Sequence, residues 1–408
     1  MTMKNTKVVT QNMGYSTQQE QKSQLVKVLT PIVISVFAVY LTIGIALGVL
    51  PAFIKNDLKL GSLAIGAVIG LQSLATLLTR AYAGKITDTL GAKISNHRGV
   101  IMVLLTGILY ILGSYFVNIP LLAIGLILIS RIIHGISESM LVTGSLTWGI
   151  GLLGPQNSGK VMTWNGIAMY AGIAIGAPLS IWLGSRFGIM VPFILIIILS
   201  LISWLSTAKL PTLAVDASHI RTPFYKVIGK VSDQGLALAF SSMGFACIAS
   251  FIALLFAERN WGDASLGFIC FGGFYVLTRL FFSSFPDKYG GYKVALVSFV
   301  IEIIGQLCIG FSTSGWMAIV GCALTGIGFS LVFPALGVLA IKKVTPQMRG
   351  TALGAYAAFF DLSLGLAGPI AGIIAGWFSY QSIYIFGAVS CLLAFLVLLI
   401  KQKNYKSN

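Results

Sequence analysis

The chain predicts an all-α membrane protein with twelve transmembrane helices in two bundles of six. Three observations carry this prediction. First, of the 408 residues 57% are hydrophobic and only 9% are charged, too little charge to cover a soluble surface. Second, the apolar residues fall into twelve runs of a length that spans a bilayer, which takes about 20 residues as a helix. Third, the longest polar interruption, residues 208–232, divides the runs six from six, and a spaced motif recurs on both sides of it.

The runs lie at 28–53, 63–83, 99–117, 121–142, 162–183 and 189–207, then 235–257, 265–283, 294–311, 317–341, 351–377 and 382–400. Each is read as a helix because backbone in lipid must satisfy its own hydrogen bonds. None alternates as the strands of a membrane β-barrel do. The expected organisation is a polar, disordered tail at 1–27, a bundle at 28–207, a linker at 208–232, a second bundle at 233–401 and a short tail at 402–408. The first run is too long for a signal-peptide core and is kept as an uncleaved span.

Charge sets the expected orientation. The chain carries 27 Lys and Arg against 11 Asp and Glu, a formal charge of +16. The basic residues are scattered through short loops, which argues against nucleic acid. Most of them, including Lys85, Lys93, Arg98, Lys342 and Lys343, fall on the side that holds both termini. The positive-inside rule therefore places both termini in the cytoplasm, and the protein in the cell (inner) membrane. The five cysteines all lie in apolar runs without metal-ligand spacing and read as small packing residues. No HExxH pair, GxSxG elbow or Walker-type phosphate loop is present, so neither an enzyme nor an ATP-driven pump is expected. No metal or cofactor is expected.

The fourth run contains Arg131, His134 and Glu138, whose spacing sets them on one helical face. A cation at the bilayer centre costs roughly 2.5–3.5 kcal/mol on insertion scales. A wet, protein-lined cavity makes that cost tolerable, and so does a structural ion pair between helices; both readings of Arg131 stand. Three acids lie within runs: Glu138, Glu302 and Asp361. Asp361 lies twelve residues past Arg349, about 18 Å along a helix, near the midplane. A carboxyl at that depth can carry a proton or contact cargo, or simply bond a neighbouring helix. Glu302 shares a face with Ser298 and Gln306 and is read as structural. His134 can titrate near neutrality or serve as a hydrogen-bonding partner. Tyr40, Gln72, Trp164, Asn165, Tyr170, Tyr356 and Phe360 are candidates for a cavity lining. Asn165 is the strongest of these, because an amide in lipid seeks partners.

The recurring motif is Thr79-Arg80, Asp88, Gly91 after the second run and Thr278-Arg279, Asp287, Gly290 after the eighth. Gly91 permits a tight turn, and Asp88 suits a helix N-terminus. Gly84-Lys-Ile-Thr-Asp88-Thr-Leu-Gly91-Ala-Lys93 resembles the loop signature of the major facilitator superfamily. Arg131-Ile-Ile-His-Gly135 resembles that family's fourth-helix arginine motif, and Gly172-Ile-Ala-Ile-Gly176-Ala-Pro178 the fifth-helix motif of its antiporters. Two further stretches, Tyr40-Leu-Thr-Ile-Gly44 and Gly328-Phe-Ser-Leu-Val-Phe-Pro334-Ala-Leu-Gly337, are similar to its arabinose-efflux-type YhhS/YfcJ branch.

The resemblance implies the major facilitator fold and a secondary transporter that works by alternating access, with its site between the halves. It implies proton-coupled efflux of a small polar or amphiphilic molecule such as a sugar, drug or metabolite. Arg131, Asp361, Glu138 and His134 would couple protons. Gly84, Asp88, Gly91, Arg80 and Asp287 would form a conformational latch. Proton symport or facilitated uptake on the same fold is the alternative, and a non-transporting membrane receptor is a remote one. The implied partners are a small-molecule substrate, protons and the lipid bilayer, with no nucleic acid, and the implied state is a monomer.

Overall fold

The computed structural model describes residues 3–154, 157–213, 225–344 and 349–406. The first half contains α1 (Met3–Asn56), α2 (Ser62–Thr89), α3 (Ala92–Tyr115), α4 (Pro120–Leu153), α5 (Ser158–Phe187) and α6 (Met190–Thr207). The second contains α7 (Tyr225–Arg259), α8 (Ser265–Phe282), the short α9 (Phe285–Tyr289), α10 (Gly291–Gly310), α11 (Gly315–Lys342), α12 (Arg349–Trp377) and α13 (Tyr380–Lys406). All but α9 contain a segment long and apolar enough to cross a membrane, giving twelve spans among the described residues.

Two boundaries differ from the sequence reading. The tail expected to be disordered is helical from Met3, continuous with the first span, and α7 begins at Tyr225, inside the expected linker. Helix propagation explains both, since extending a formed helix adds a bond per residue without a new nucleus. The linker's middle, residues 214–224, lies outside the described residues.

The packing is duplicated. In the first half α3 packs on α4, α2 on α4, α1 on α5 and α3 on α6; in the second α10 packs on α11, α8 on α11, α7 on α12 and α10 on α13. Two seams join the halves, α2 against α12 and α5 against α8. The repeated motif closes equivalent corners. Gly91 (φ 99°) and Gly290 (φ 88°) each take the left-handed backbone that starts the next helix, a conformation glycine adopts without a Cβ clash.

The linker end of the molecule is further tied by an indole–imidazole cluster. The Trp204 indole N–H donates to His97 Nδ1 at 3.2 Å, and His97 Nε2 lies 3.2 Å from Thr207 Oγ1. Lys93 Nζ donates to the carbonyls of Ala208 and Leu210, and the Trp148 indole to that of Pro211. These bonds hold the linker's first residues against the first bundle. Large apolar side chains such as Leu78, Leu121 and Phe281 point outward, as a lipid-facing belt requires.

Candidate functional site

Between the two halves lies a central cavity of about 60 Å³. It is walled by Tyr40, Ile43 and Leu47 of α1, Ile69, Gln72 and Ser73 of α2, Arg131 and Glu138 of α4, and Met169, Tyr170 and Ile173 of α5. Phe245, Ala246, Ala249 and Ser250 of α7 and Phe360 and Leu364 of α12 close it. A volume of that size holds a few waters, whereas small-molecule pockets run to about 300–1,000 Å³. A solute of ordinary size fits only if the halves move apart.

Glu138 is the polar centre of the wall. Tyr40 Oη donates to its Oε1 at 2.9 Å, Gln72 Nε2 to its Oε2 at 2.9 Å, and Thr76 Oγ1 to Oε2 at 3.1 Å. Three donors from α1 and α2 thus converge on one carboxyl group of α4.

Asp361 does not meet Arg131. Its Oδ2 accepts from Nε of Arg80, so the ion pair bridges α2 and α12 across the seam between the halves. Asp361 is buried and Arg80 partly so. Geometry accounts for the absence of a contact between Arg131 and Asp361. The Arg131 guanidinium is spent on α2: Nε donates to the Val68 carbonyl at 3.0 Å, Nη2 to the Ile69 carbonyl at 3.2 Å and Nη1 to the Tyr110 hydroxyl at 3.4 Å. Backbone dipoles, not an acid, balance its charge. Arg131 pins α4 to α2 beside the cavity.

A measurable difference follows. Arg131→Lys loses the fork that spans two carbonyls and a phenol. It is expected to lower thermal stability by a few kcal/mol at most, since hydrogen bonds to charged groups contribute about 1.5–3 kcal/mol. The pH dependence of transport should stay unchanged, which a melt and a pH–flux series would check together.

The other candidates separate. His134 Nε2 lies 3.2 Å from Thr42 Oγ1, and its Nδ1 is buried without a partner. Thr42 already donates to the Val39 carbonyl, so Nε2 carries the proton in that bond. His134 faces α1 and does not line the cavity. Tyr40, Gln72, Tyr170 and Phe360 lie in the wall of the cavity. Trp164, Asn165 and Tyr356 do not. Trp164 is exposed on the outer face of α5. Asn165 is buried with Oδ1 unpartnered. Tyr356 donates to the Phe333 carbonyl at 3.0 Å within the second bundle. Depth separates Asn165 and Tyr356 from the cavity, since each lies one turn from a lining residue, Met169 and Phe360, on the same helical face; for Trp164 the difference is one of rotation.

Glu302 is fully buried inside the second bundle, where Ser241 Oγ donates to its Oε2 at 2.6 Å. Of the latch residues, Gly84 is buried in α2 and Asp287 is exposed on α9. Asp88 is half-buried in the last turn of α2, and Gly91, the residue that starts α3, carries no side-chain cap. Arg80 stands apart from them, in the seam with Asp361. Among the described residues no three His, Cys, Asp or Glu side chains gather as a metal site.

The seams are tight at the end away from the linker. A Cβ at Gly66 would lie 2.0 Å from the Gly368 carbonyl oxygen, and one at Gly368 2.4 Å from the Gly66 oxygen. Backbone therefore touches backbone between α2 and α12. On the other seam Tyr170 and Tyr275 stack with centroids 3.9 Å apart.

Comparison with known proteins agrees with this architecture. The model of the Major Facilitator Superfamily matches residues 32–230 and 234–407. An uncharacterized MFS-type transporter of Salmonella typhimurium is 38% identical over 370 residues, 90% of this chain and 95% of that one. One of Burkholderia mallei is 41% identical over 354 residues, 87% of each. Among solved structures, the nucleoside transporter NupG (D323A mutant) superposes with a TM-score of 0.69 at 18% identity, covering 91% of this chain and 99% of that one. The human organic anion transporter MFSD10 superposes with 0.68 at 16%, covering 92% and 99%. With twelve spans in two packed halves, a cavity between them and a family match over nearly its whole length, this chain belongs to the major facilitator superfamily of membrane transporters.

Proposed function

We propose that the protein is a proton-coupled secondary transporter that exports a small polar or amphiphilic molecule by alternating access, with both termini in the cytoplasm of a cell-membrane protein. The observation that carries this reading is the Arg80–Asp361 pair. It joins one half to the other at a seam that must part for cargo to pass. A proton on Asp361 removes the attraction that holds Arg80, and loss of that proton restores it. Proton binding is thereby tied to the seam's opening, which is the coupling an antiporter needs. Glu138 at the cavity wall is the group through which cargo and proton compete, because its three donors can release it when cargo supplies others. The stretches at Tyr40–Gly44 and Gly328–Gly337 favour the arabinose-efflux-type branch, and export follows that branch.

Reconstituted protein with a pH-sensitive dye inside the vesicles tests this. A panel of sugars, cationic drugs and organic acids should contain members that evoke proton movement. Glu138→Gln is expected to reduce that movement about tenfold or more, an effect worth about 1.4 kcal/mol or more. Flux of a labelled panel member with no accompanying proton movement in the unmutated protein would remove the coupling. Uptake against a gradient in whole cells would reverse the direction.

A further inference from the structure

We propose that the second seam holds a docking site for an oxyanion of the cargo, with Arg279 as its cation. This identifies the cargo as an organic acid that bears a carboxylate, phosphonate or phosphate. It rests on the reading of the protein as a carrier, but not on proton coupling.

The two seams occupy equivalent places in the two halves and differ in how their charge is paired. On the α2–α12 seam, glycine contacts at the end away from the linker give way toward the linker to the Arg80–Asp361 pair. The α5–α8 seam has the same progression. A Cβ at Gly272 would lie 2.0 Å from the Ala174 Cβ. One turn on, Tyr170 stacks on Tyr275. One further turn on, at Gly166 and Arg279, the twin of the ion pair is due.

Only the cation is present. Arg279 occupies the motif position of Arg80 in the repeat. It is 8% exposed, nearly as buried as a core residue. Its Nη1 donates to the Ser330 carbonyl at 2.7 Å, and its guanidinium carbon lies 5.9 Å from the Tyr275 ring centroid. No carboxylate pairs with it among the described residues. The residue opposite is Gly166, whose Cβ position lies 3.3 Å from Arg279 Nη2. Apart from the guanidinium carbon, no other atom of a neighbouring element lies within 4 Å of that position. Only the guanidinium crowds that position, so Nη2 faces a side of α5 that carries no side chain.

A buried guanidinium with one carbonyl partner lacks the counter-ion that burial normally demands. A planar oxyanion satisfies it in the fork geometry that Arg offers. Tyr170 sits one turn from Gly166 and also lines the central cavity, so the space beside Arg279 adjoins the cargo's route. In one seam the protein supplies its own acid; in the other the cargo supplies it and closes the contact between the halves.

The test uses full-length protein in nanodiscs of phosphatidylcholine, with benzoate and phenylphosphonate as probes and benzamide as the neutral match, read by calorimetric titration. Both anions are expected to bind, and benzamide is not. Arg279→Gln should weaken anion binding about tenfold or more, and Arg279→Lys less. Gly166→Asp places an internal carboxylate beside Nη2 and should abolish anion binding, while Gly166→Asn, which fills the same space without charge, should weaken it less. A melting transition in each variant confirms that it is folded. The proposal is overturned if neither anion binds the unmutated protein, if benzamide binds equally, or if Gly166→Asp binds benzoate like the parent. Displacement of benzoate by added phosphatidylglycerol would give the site to a lipid headgroup and overturn its assignment to cargo. Failure of proton coupling in vesicles with these binding results intact would overturn the antiport reading alone.

Discussion

Asp361→Asn is expected to retain substrate exchange and lose substrate-evoked proton movement altogether. Asparagine keeps the shape and one acceptor for Arg80 but carries neither charge nor exchangeable proton. The seam then opens and closes without reference to pH. The stability readout separates this from simple unfolding. Removing one partner of a buried pair typically costs about 3–5 kcal/mol, because the other charge is left uncompensated. Arg80 is partly exposed, side-chain relative exposure 22%, so water offsets part of that cost. Asp361→Leu alone should therefore melt well below the parent, and Arg80→Met with Asp361→Leu should recover a substantial share of the loss. A double variant no more stable than the single one would mean that the pair does not hold the seam. Proton movement that survives in Asp361→Asn would transfer the coupling role to Glu138.

The second large effect is expected at the opposite end of the same seam. Gly66→Val places a branched side chain where even a Cβ would lie 2.0 Å from the Gly368 carbonyl oxygen. The neighbour is backbone and cannot rotate away, so α2 and α12 must separate. Overpacking of this kind costs about 1–3 kcal/mol, and here it falls only on the state in which this end is closed. A shift of that size changes a two-state equilibrium about five- to over a hundredfold. The variant should accumulate open at the end away from the linker, with transport reduced by at least about tenfold. A cysteine introduced at Ser73, on the cavity wall, reports it: membrane-impermeant maleimide added from that side should label the Gly66→Val variant and leave the parent unlabelled. Equal labelling of both would show that the glycine contact does not gate access.

Much of this architecture is legible in the residues. The twelve spans could be marked because lipid leaves the backbone no alternative to helix, and an apolar run of sufficient length therefore states its own conformation. The duplication was readable from Thr79-Arg80-Asp88-Gly91 and its copy, and the left-handed φ at Gly91 and Gly290 gives a physical reason for those two glycines. Four cavity residues, Tyr40, Gln72, Tyr170 and Phe360, were found as polar or aromatic residues inside spans. The same criterion also selected Trp164, Asn165 and Tyr356, which lie outside the cavity, because composition within a span encodes neither the depth at which a cavity opens nor rotation about the helix axis.

Pairing was not legible. Arg131 and Asp361 attracted attention as intramembrane charges, yet the partner of Asp361 is Arg80, a residue whose sequence context pointed to a loop latch. The signal that could have found it is the depth of Arg80, about two and a half turns inside the end of α2. Arg279, its counterpart in the repeat, lies in the last turn of α8.

What lies within one helix is written in its own residues: which segments span, where they turn and that one half copies the other. Those properties depend on local backbone satisfaction and on the transfer of side chains from water, which each segment settles alone. Which charges meet, which glycines touch and which residues line the cavity emerge only when the helices pack. Those depend on helix rotation and on neighbours hundreds of residues away in the chain, such as Gly66 with Gly368 and Arg80 with Asp361, and packing between helices sets them.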